Sequence, residues 1–397
     1  MALAGVNVNL VNGQLGRVAA LADRVCGLIV AIDAASAPSG ITVGEPTQVF
    51  TLDQVEALGI DADYDSNNAV QAYQQIAAFY NRAGNGRELW IYCVDKGTLQ
   101  SAALDNTGNE ATKLLDAAGG RIKMLGCTSE TSADTTATGG LDADVATAIV
   151  NADVLAKAYA AKNMPVRVIV EGRAYDGTAA NLADLTENTN NRVGVYLGSD
   201  DGQNGNATVG RLLGRLASVP PQRSAGRVKD GDIGLVNCYL SDGTSVRDIP
   251  LAELASIAAK GYIVPRYYLQ GKSGFFFSNP VTASAATDDY HTITNGRVID
   301  KMHSIAYSTY LEEILDDVEV DQATGYLLPE VVGDYRNTIR TAINLQMANE
   351  ISGVVVDIDP AQNIISTDKL VVGLRAVPKG YTKTIEVQLG LSNPAVN

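Results

Sequence analysis

Between residues 89 and 218 the chain alternates short, continuously apolar runs with helical segments, and this alternation restricts the fold more than any other feature. Residues 89–94 (Leu-Trp-Ile-Tyr-Cys-Val), 122–127, 166–171 and 192–197 have strand length and little polar relief. Segments 109–118, 142–162, 179–185 and 208–218 read as helices, the last stopped by Pro220-Pro221. A strand that is apolar on both sides must be covered on both faces, which strand–helix–strand crossovers with parallel strands achieve. Residues 85–220 are therefore expected to form a Rossmann-like layered α/β structure.

Around this core the reading continues in both directions. Residues 25–32 form a strand, Thr51 caps a helix over 52–58, and Ser66 or Asn67 starts a helix over 69–82. The apolar face of that helix is Val70, Tyr73, Ile76, Ala77 and Tyr80, and Gly84-Asn85-Gly86 ends it. After Gly226 the character becomes α+β. A strand at 235–240, a helix at 251–260 and a hairpin of 262–269 with 275–278 precede two long helices, 291–318 and 330–351. The first of these is capped from 287–290. Strands follow at 354–358 and within 368–378.

The two ends carry an unusual pattern. Val6, Val8 and Leu10 alternate with Asn7 and Asn9, and Ile385, Val387, Leu389 and Leu391 alternate with Thr384, Glu386, Gln388 and Gly390. Chain ends usually lack such regularity. A half-apolar strand must bury one face, either by completing its own sheet or by adding to a neighbour's.

No motif for catalysis withstands inspection. The chain has 30 Lys+Arg against 45 Asp+Glu, a net charge of −15, which disfavours nucleic acid and anionic membranes as partners. Its two histidines, His291 and His303, exclude His-rich metal sites and weaken most acid–base schemes. Cys26, Cys93, Cys127 and Cys238 form no CxxC pair and read as buried, reduced thiols. Gly271-Lys272-Ser273 lacks the upstream glycine of a phosphate loop, where Arg266 stands, and Phe275-Phe276-Phe277 follows as strand instead of helix. Asp61, Asp63 and Asp65 have calcium-loop spacing, but Ser66 and Ala72 occupy the glycine and bidentate-glutamate positions. These acids are expected just before a helix N-terminus. Asp316, Asp317, Glu319 and Asp321 read as a solvated acidic run at a helix end or a charged assembly contact. No cofactor or metal is expected. Residues 1–16 lack the basic and apolar regions of a Sec signal, and the longest apolar stretch, 25–32, is far short of a bilayer span. The expectation is a protein made in the cytoplasm.

The order of elements resembles the contractile tail sheath family of phages, R-type bacteriocins and contractile injection systems. The residues that carry the resemblance are Phe50-Thr51-Leu52-Asp53-Gln54-Val55-Glu56-Ala57-Leu58-Gly59, Ile76-Ala77-Ala78-Phe79-Tyr80-Asn81-Arg82-Ala83-Gly84, Leu89-Trp90-Ile91-Tyr92, Asp288-Asp289-Tyr290 and Asn295-Gly296-Arg297-Val298-Ile299-Asp300-Lys301. The family's usual Pro-Gly-Val near the N-terminus reads Ala4-Gly5-Val6 here. The resemblance implies a non-enzymatic structural subunit that polymerises helically around an inner tube and contracts to drive the tube through a target envelope. It also implies an N-terminal arm (1–16), an α/β outer body (17–285), a C-terminal inner, tube-facing α+β domain (286–380) and a C-terminal arm (381–397). The extended β-arms would exchange Val6, Val8, Leu10, Ile385, Val387, Leu389 and Leu391 with neighbouring copies. Arg336 and Arg340, four apart on a helix, are candidate tube contacts, with an intramolecular pair to Asp334 or another acid as the other possibility. Implied partners are further copies of the chain, the tube protein, and baseplate and terminator or cap proteins. The alternatives are an α/β enzyme or nucleotide-binding protein with an unrecognised site, and a tail-tube or baseplate component.

Overall fold

The computed structural model describes residues 23–108, 110–130, 137–203 and 205–391. They fall into two compact units, one ending at Asp316 and the other starting at Asp317. The arm residues Val6, Val8 and Leu10 lie outside the described residues.

The first unit is built on a seven-stranded sheet. Its strands are β1 (Cys26–Ile32), β2 (Pro46–Val49), β3 (Leu89–Asp95), β4 (Met124–Cys127), β5 (Arg167–Glu171), β6 (Val193–Tyr196) and β7 (Tyr262–Ile263). The order across the sheet is β7-β6-β5-β4-β1-β3-β2. Every neighbouring pair is parallel except β2 with β3. The sheet thus reaches well beyond residues 85–220. β1 lies inside it, between β3 and β4, and all seven of its residues are buried, so both faces of the sheet are covered.

The covering helices are α1 (Leu52–Ala57), α2 (Ala62–Asn68), α3 (Ala72–Ala83), α4 (Gln100–Ala103), α5 (Glu110–Ala117), α6 (Ala143–Ala161), α7 (Val209–Ser218), α8 (Leu251–Ala259) and α9 (Ile293–Tyr310). α3 and α7 pack against each other and against β1, while α5 lies on β1–β3 and α6 on β5–β6. The α3–α7 contact is made backbone to backbone. A Cβ on Gly210 would lie 1.9 Å from the Gln75 carbonyl oxygen, and one on Gly214 2.3 Å from that of Phe79. Gln75 locks the crossing by accepting from Gly210 N at 3.0 Å and donating to the Ala207 carbonyl at 2.9 Å.

Several elements differ from the sequence reading, each for a visible reason. The helix expected over 69–82 starts later, at Ala72, and a separate helix, α2, precedes it; Ala69 between them adopts a left-handed conformation (φ 52°). Asp61 caps α2 by accepting from Tyr64 N, and Asp65 accepts from Tyr73 N and Gln74 N at the start of α3. Residues 179–185 form no helix: Lys260 Nζ takes the carbonyls of Ala179, Ala180 and Leu182 at 2.6–3.0 Å. Of residues 235–240 only Tyr239–Leu240 pairs, with Gly198–Ser199. α9 is capped by Thr292, which accepts from Asn295 N, and it ends at Tyr310 instead of 318. The acidic run from Asp316 therefore lies beyond the helix. The hairpin is β8 (Pro265–Tyr267) with β9 (Phe275–Phe277), and Gly271 (φ 80°) and Gly274 (φ 86°) lie in its loop.

The second unit is small. α10 (Pro329–Met347) buries Ile339, Ile343 and Met347 from one stripe and packs on β10 (Ile351–Asp357). β10 pairs antiparallel with β11 (Gly373–Pro378), and no third strand joins them among the described residues. Val355 and Val377 on this ribbon are about half exposed. The strand expected at 384–391 does not form: residues 379–391 join no sheet among the described residues.

Candidate functional site

In parallel α/β sheets, ligands usually sit at the carboxyl ends of the strands, beside the point where strand order reverses. Here that edge is filled by the chain's own polar groups. Glu171, the last residue of β5, is buried and accepts from Ser129 N at 2.9 Å and Ala207 N at 2.7 Å. Gln100 brackets its backbone, donating to the Glu171 carbonyl at 3.1 Å and accepting from its N–H at 3.0 Å. Glu130 accepts from Asn206 Nδ2 at 2.7 Å, and the Arg173 guanidinium stands 3.8 Å from both Glu130 and Asp142. Asn206 is itself buried.

Burial drives the titration of this cluster. It pushes Glu171 up to about 8 and Glu130 up to about 7, against the opposing pull of hydrogen-bond donors and Arg173. A carboxyl raised in the folded state binds more protons there than in the unfolded chain, so its contribution to stability falls as pH rises. The window runs from the ordinary carboxylate range to about 8. We expect the melting temperature to fall between pH 5 and pH 8.5. The wild-type slope should exceed that of Glu130→Gln by up to one proton's worth, about 1.4 kcal/mol per pH unit. Parallel slopes would mean that Glu130 does not titrate in this range.

Lys272 and Ser273 are exposed in the hairpin loop. His291 Nδ1 meets the Ser284 carbonyl at 2.8 Å, and His303 Nε2 meets Asn163 Oδ1 at 3.0 Å. All four cysteines are buried, and burial pushes Cys26 and Cys93 up to about 12. Among the described residues no group of three or more His, Cys, Asp or Glu side chains is placed to hold a metal ion.

The arm residues behave differently. Ile385, Val387, Leu389 and Leu391 are 77, 70, 92 and 107 % exposed, against the usual tendency of such side chains to be buried. In the second unit Arg336 is half-buried and Arg340 exposed on α10. Neither makes an ion pair among the described residues, so the internal pair with Asp334 does not form.

One cluster was not foreseen. Arg167 stands in the apolar strand β5 and is buried. Its Nε donates to Asp300 Oδ2 at 2.8 Å and its Nη1 to the Asn191 carbonyl at 2.8 Å. Arg192 Nη1 reaches the other oxygen of Asp300 at 3.1 Å. α9 comes close enough only because residue 296 is glycine, where a Cβ would lie 1.8 Å from the Arg167 guanidinium carbon. The sequence signal was a charged residue inside an apolar strand, which demands a buried partner.

The described residues thus define a two-unit α/β protein with a mainly parallel, covered sheet, a small α+β unit and an exposed apolar tail. The chain belongs to the DUF2586 family: its N-terminal domain matches residues 3–280 and its C-terminal domain residues 289–396. No curated protein matches the sequence. Among solved structures, the chain is similar to one in the anti-feeding prophage (AFP) helical sheath in its contracted state, at TM-score 0.61 and 15 % identity over 99 and 100 % of the two chains. It is also similar to a chain of the contracted PVC sheath complex of an extracellular contractile injection system, at 0.60 and 13 % over 99 and 98 %. The sheath tail protein of Desulfitobacterium hafniense matches at 0.51 and 10 % over 94 and 100 %. The chain shares the fold of these contractile sheath proteins.

Proposed function

We propose that the chain is the structural, non-enzymatic subunit of a contractile tail sheath. It polymerises helically around an inner tube and contracts to drive that tube through a target envelope. The observation that carries this reading is fold likeness along essentially the whole of both chains to a contracted sheath. A Rossmann-like outer body at 17–285, a tube-facing α+β domain at 286–380 and arms at 1–16 and 381–397 complete the assignment. The family's two domains divide close to the same place, while α9 packs with the body through Asp300. Partners are further copies of the chain, the tube protein, and baseplate and terminator proteins, in a phage tail or phage-tail-like particle assembled in the bacterial cytoplasm. Nucleic acid and membrane are not direct partners.

The two-stranded β10–β11 ribbon supports strand exchange. A lone ribbon is marginal in water, and its unpaired edges can accept the 384–391 segment of a neighbour. A similar chain also occurs in the AFP baseplate, at TM-score 0.62 and 13 % identity over 99 % of each chain, which favours a baseplate component as the second reading.

Negative-stain microscopy of the purified chain with and without its tube protein tests the assignment. Long helical tubes are expected; closed rings that never elongate would favour the baseplate reading, and a permanent monomer would reject both. Charge reversal at Arg336 and Arg340 should leave sheath-only tubes intact and weaken loading on the tube, more so at low salt. Unchanged loading would move the tube contact off α10.

A further inference from the structure

The cluster around Asp300 borders a cavity of about 160 Å³, lined by Arg167, Asn191, Arg192, Tyr290, Asp300 and His303. That is room for several water molecules or one small ion. Asp300 is shared by two guanidiniums, and neither is saturated. Arg167 Nη2, and Nε and Nη2 of Arg192, donate no hydrogen bond among the described residues. The surrounding acids do not redress the balance. Asp153 is paired with Lys157 at 2.5 Å and Asp23 with Lys301 at 3.0 Å; Asp288, which accepts from the neutral Asn191 Nδ2 at 3.0 Å, keeps its charge, but with Lys123 beside Asp300 the cations still outnumber the free carboxylates. Lys123, mostly buried, adds a further positive charge that acts on Asp300. A buried arginine beside a second one, with a single shared carboxylate, leaves positive charge that a second anion would neutralise. The forked N–H groups of guanidinium suit a planar or tetrahedral oxyanion.

We propose that this cavity is a binding site for one small oxyanion, a phosphate or a carboxylate, held by the free N–H groups of Arg167 and Arg192. The carboxylate can come from free solute or from an acidic side chain of a second copy; the chemistry is the same. The site belongs to the single chain; only the second-copy occupant rests on the proposed assembly.

Calorimetric titration of the unassembled full chain with inorganic phosphate, and separately with acetate, at fixed ionic strength is the test. Saturable binding is expected. Arg192→Gln should weaken it roughly 10- to 100-fold through loss of charge-assisted bonds, and Arg192→Lys should fall between the two. Circular dichroism establishes that the variants fold. Should Arg192→Gln fail to fold, Arg192→Lys serves instead, with an expected loss of several-fold. Heats of dilution alone for both ions, or equal affinity in the folded variants, would overturn the site. Phosphate that suppresses polymerisation in the wild type but not in Arg192→Gln identifies a carboxylate of a second copy as the occupant; binding without that effect identifies the free ion.

Discussion

A chain cut after residue 382 remains a folded, soluble monomer and forms no sheath. Of the segment it loses, residues 383–391 join none of the described sheets, and Ile385, Val387, Leu389 and Leu391 stand in solvent. Seventeen residues from 381 to 397 reach at most roughly 55–60 Å when fully extended, enough to cross into a neighbouring copy. Burying Ile385, Val387, Leu389 and Leu391 there stabilises one link by at most about 6–12 kcal/mol. Ordering a free segment offsets much of that, so each link is modest and the lattice depends on many of them at once. Val387→Asp places a charge on the buried face and should block assembly as completely as the truncation. Sedimentation and microscopy read both outcomes. A truncated chain that unfolds as a monomer would mean that the segment belongs to its own body.

Asp300→Ala should have the largest effect on the monomer. It removes the shared partner of Arg167 and Arg192 and leaves the Arg167 cation buried against an apolar strand. Breaking a buried pair from one side costs about 3–5 kcal/mol. Gly296→Ala should act on the same contact sterically, since the new methyl would overlap the Arg167 guanidinium. Chemical denaturation of both variants measures the loss. A loss under 1 kcal/mol for Asp300→Ala would show that the cluster is solvated and not a buried tie.

The parallel strands were legible because both-face burial leaves continuous apolar runs, as in residues 89–94 and 166–171. β2 escaped notice because Pro46-Thr47-Gln48-Val49 is short, polar and begins with proline, as suits the edge of a sheet. The later start of α3 and the separate α2 before it were hidden because the turn between them uses a left-handed alanine and aspartate caps rather than glycine or proline. The absent helix at 179–185 is a tertiary effect, since the lysine that takes its carbonyls lies some 80 residues further on. The Arg167–Asp300 pair spans 133 positions, and no local pattern reports such a separation. The terminal alternation at 384–391 was legible as sequence, yet a strand without a partner has no hydrogen bonds to make it one.

The seating of α7 on α3 has a mechanical consequence. Side-chain layers between helices can shear over one another by small rotamer changes, and Gly210 and Gly214 leave no such layer. A slip of one helix along the other would drive backbone atoms into backbone atoms, so the crossing resists sliding from the first fraction of an ångström. In a polymer that changes length, compliance concentrates in the softest elements joined in series. With this crossing stiff, the proposed sheath assembly would find its compliance in segments outside the strands, such as residues 379–383, and little work of contraction would be lost at the α3–α7 seat.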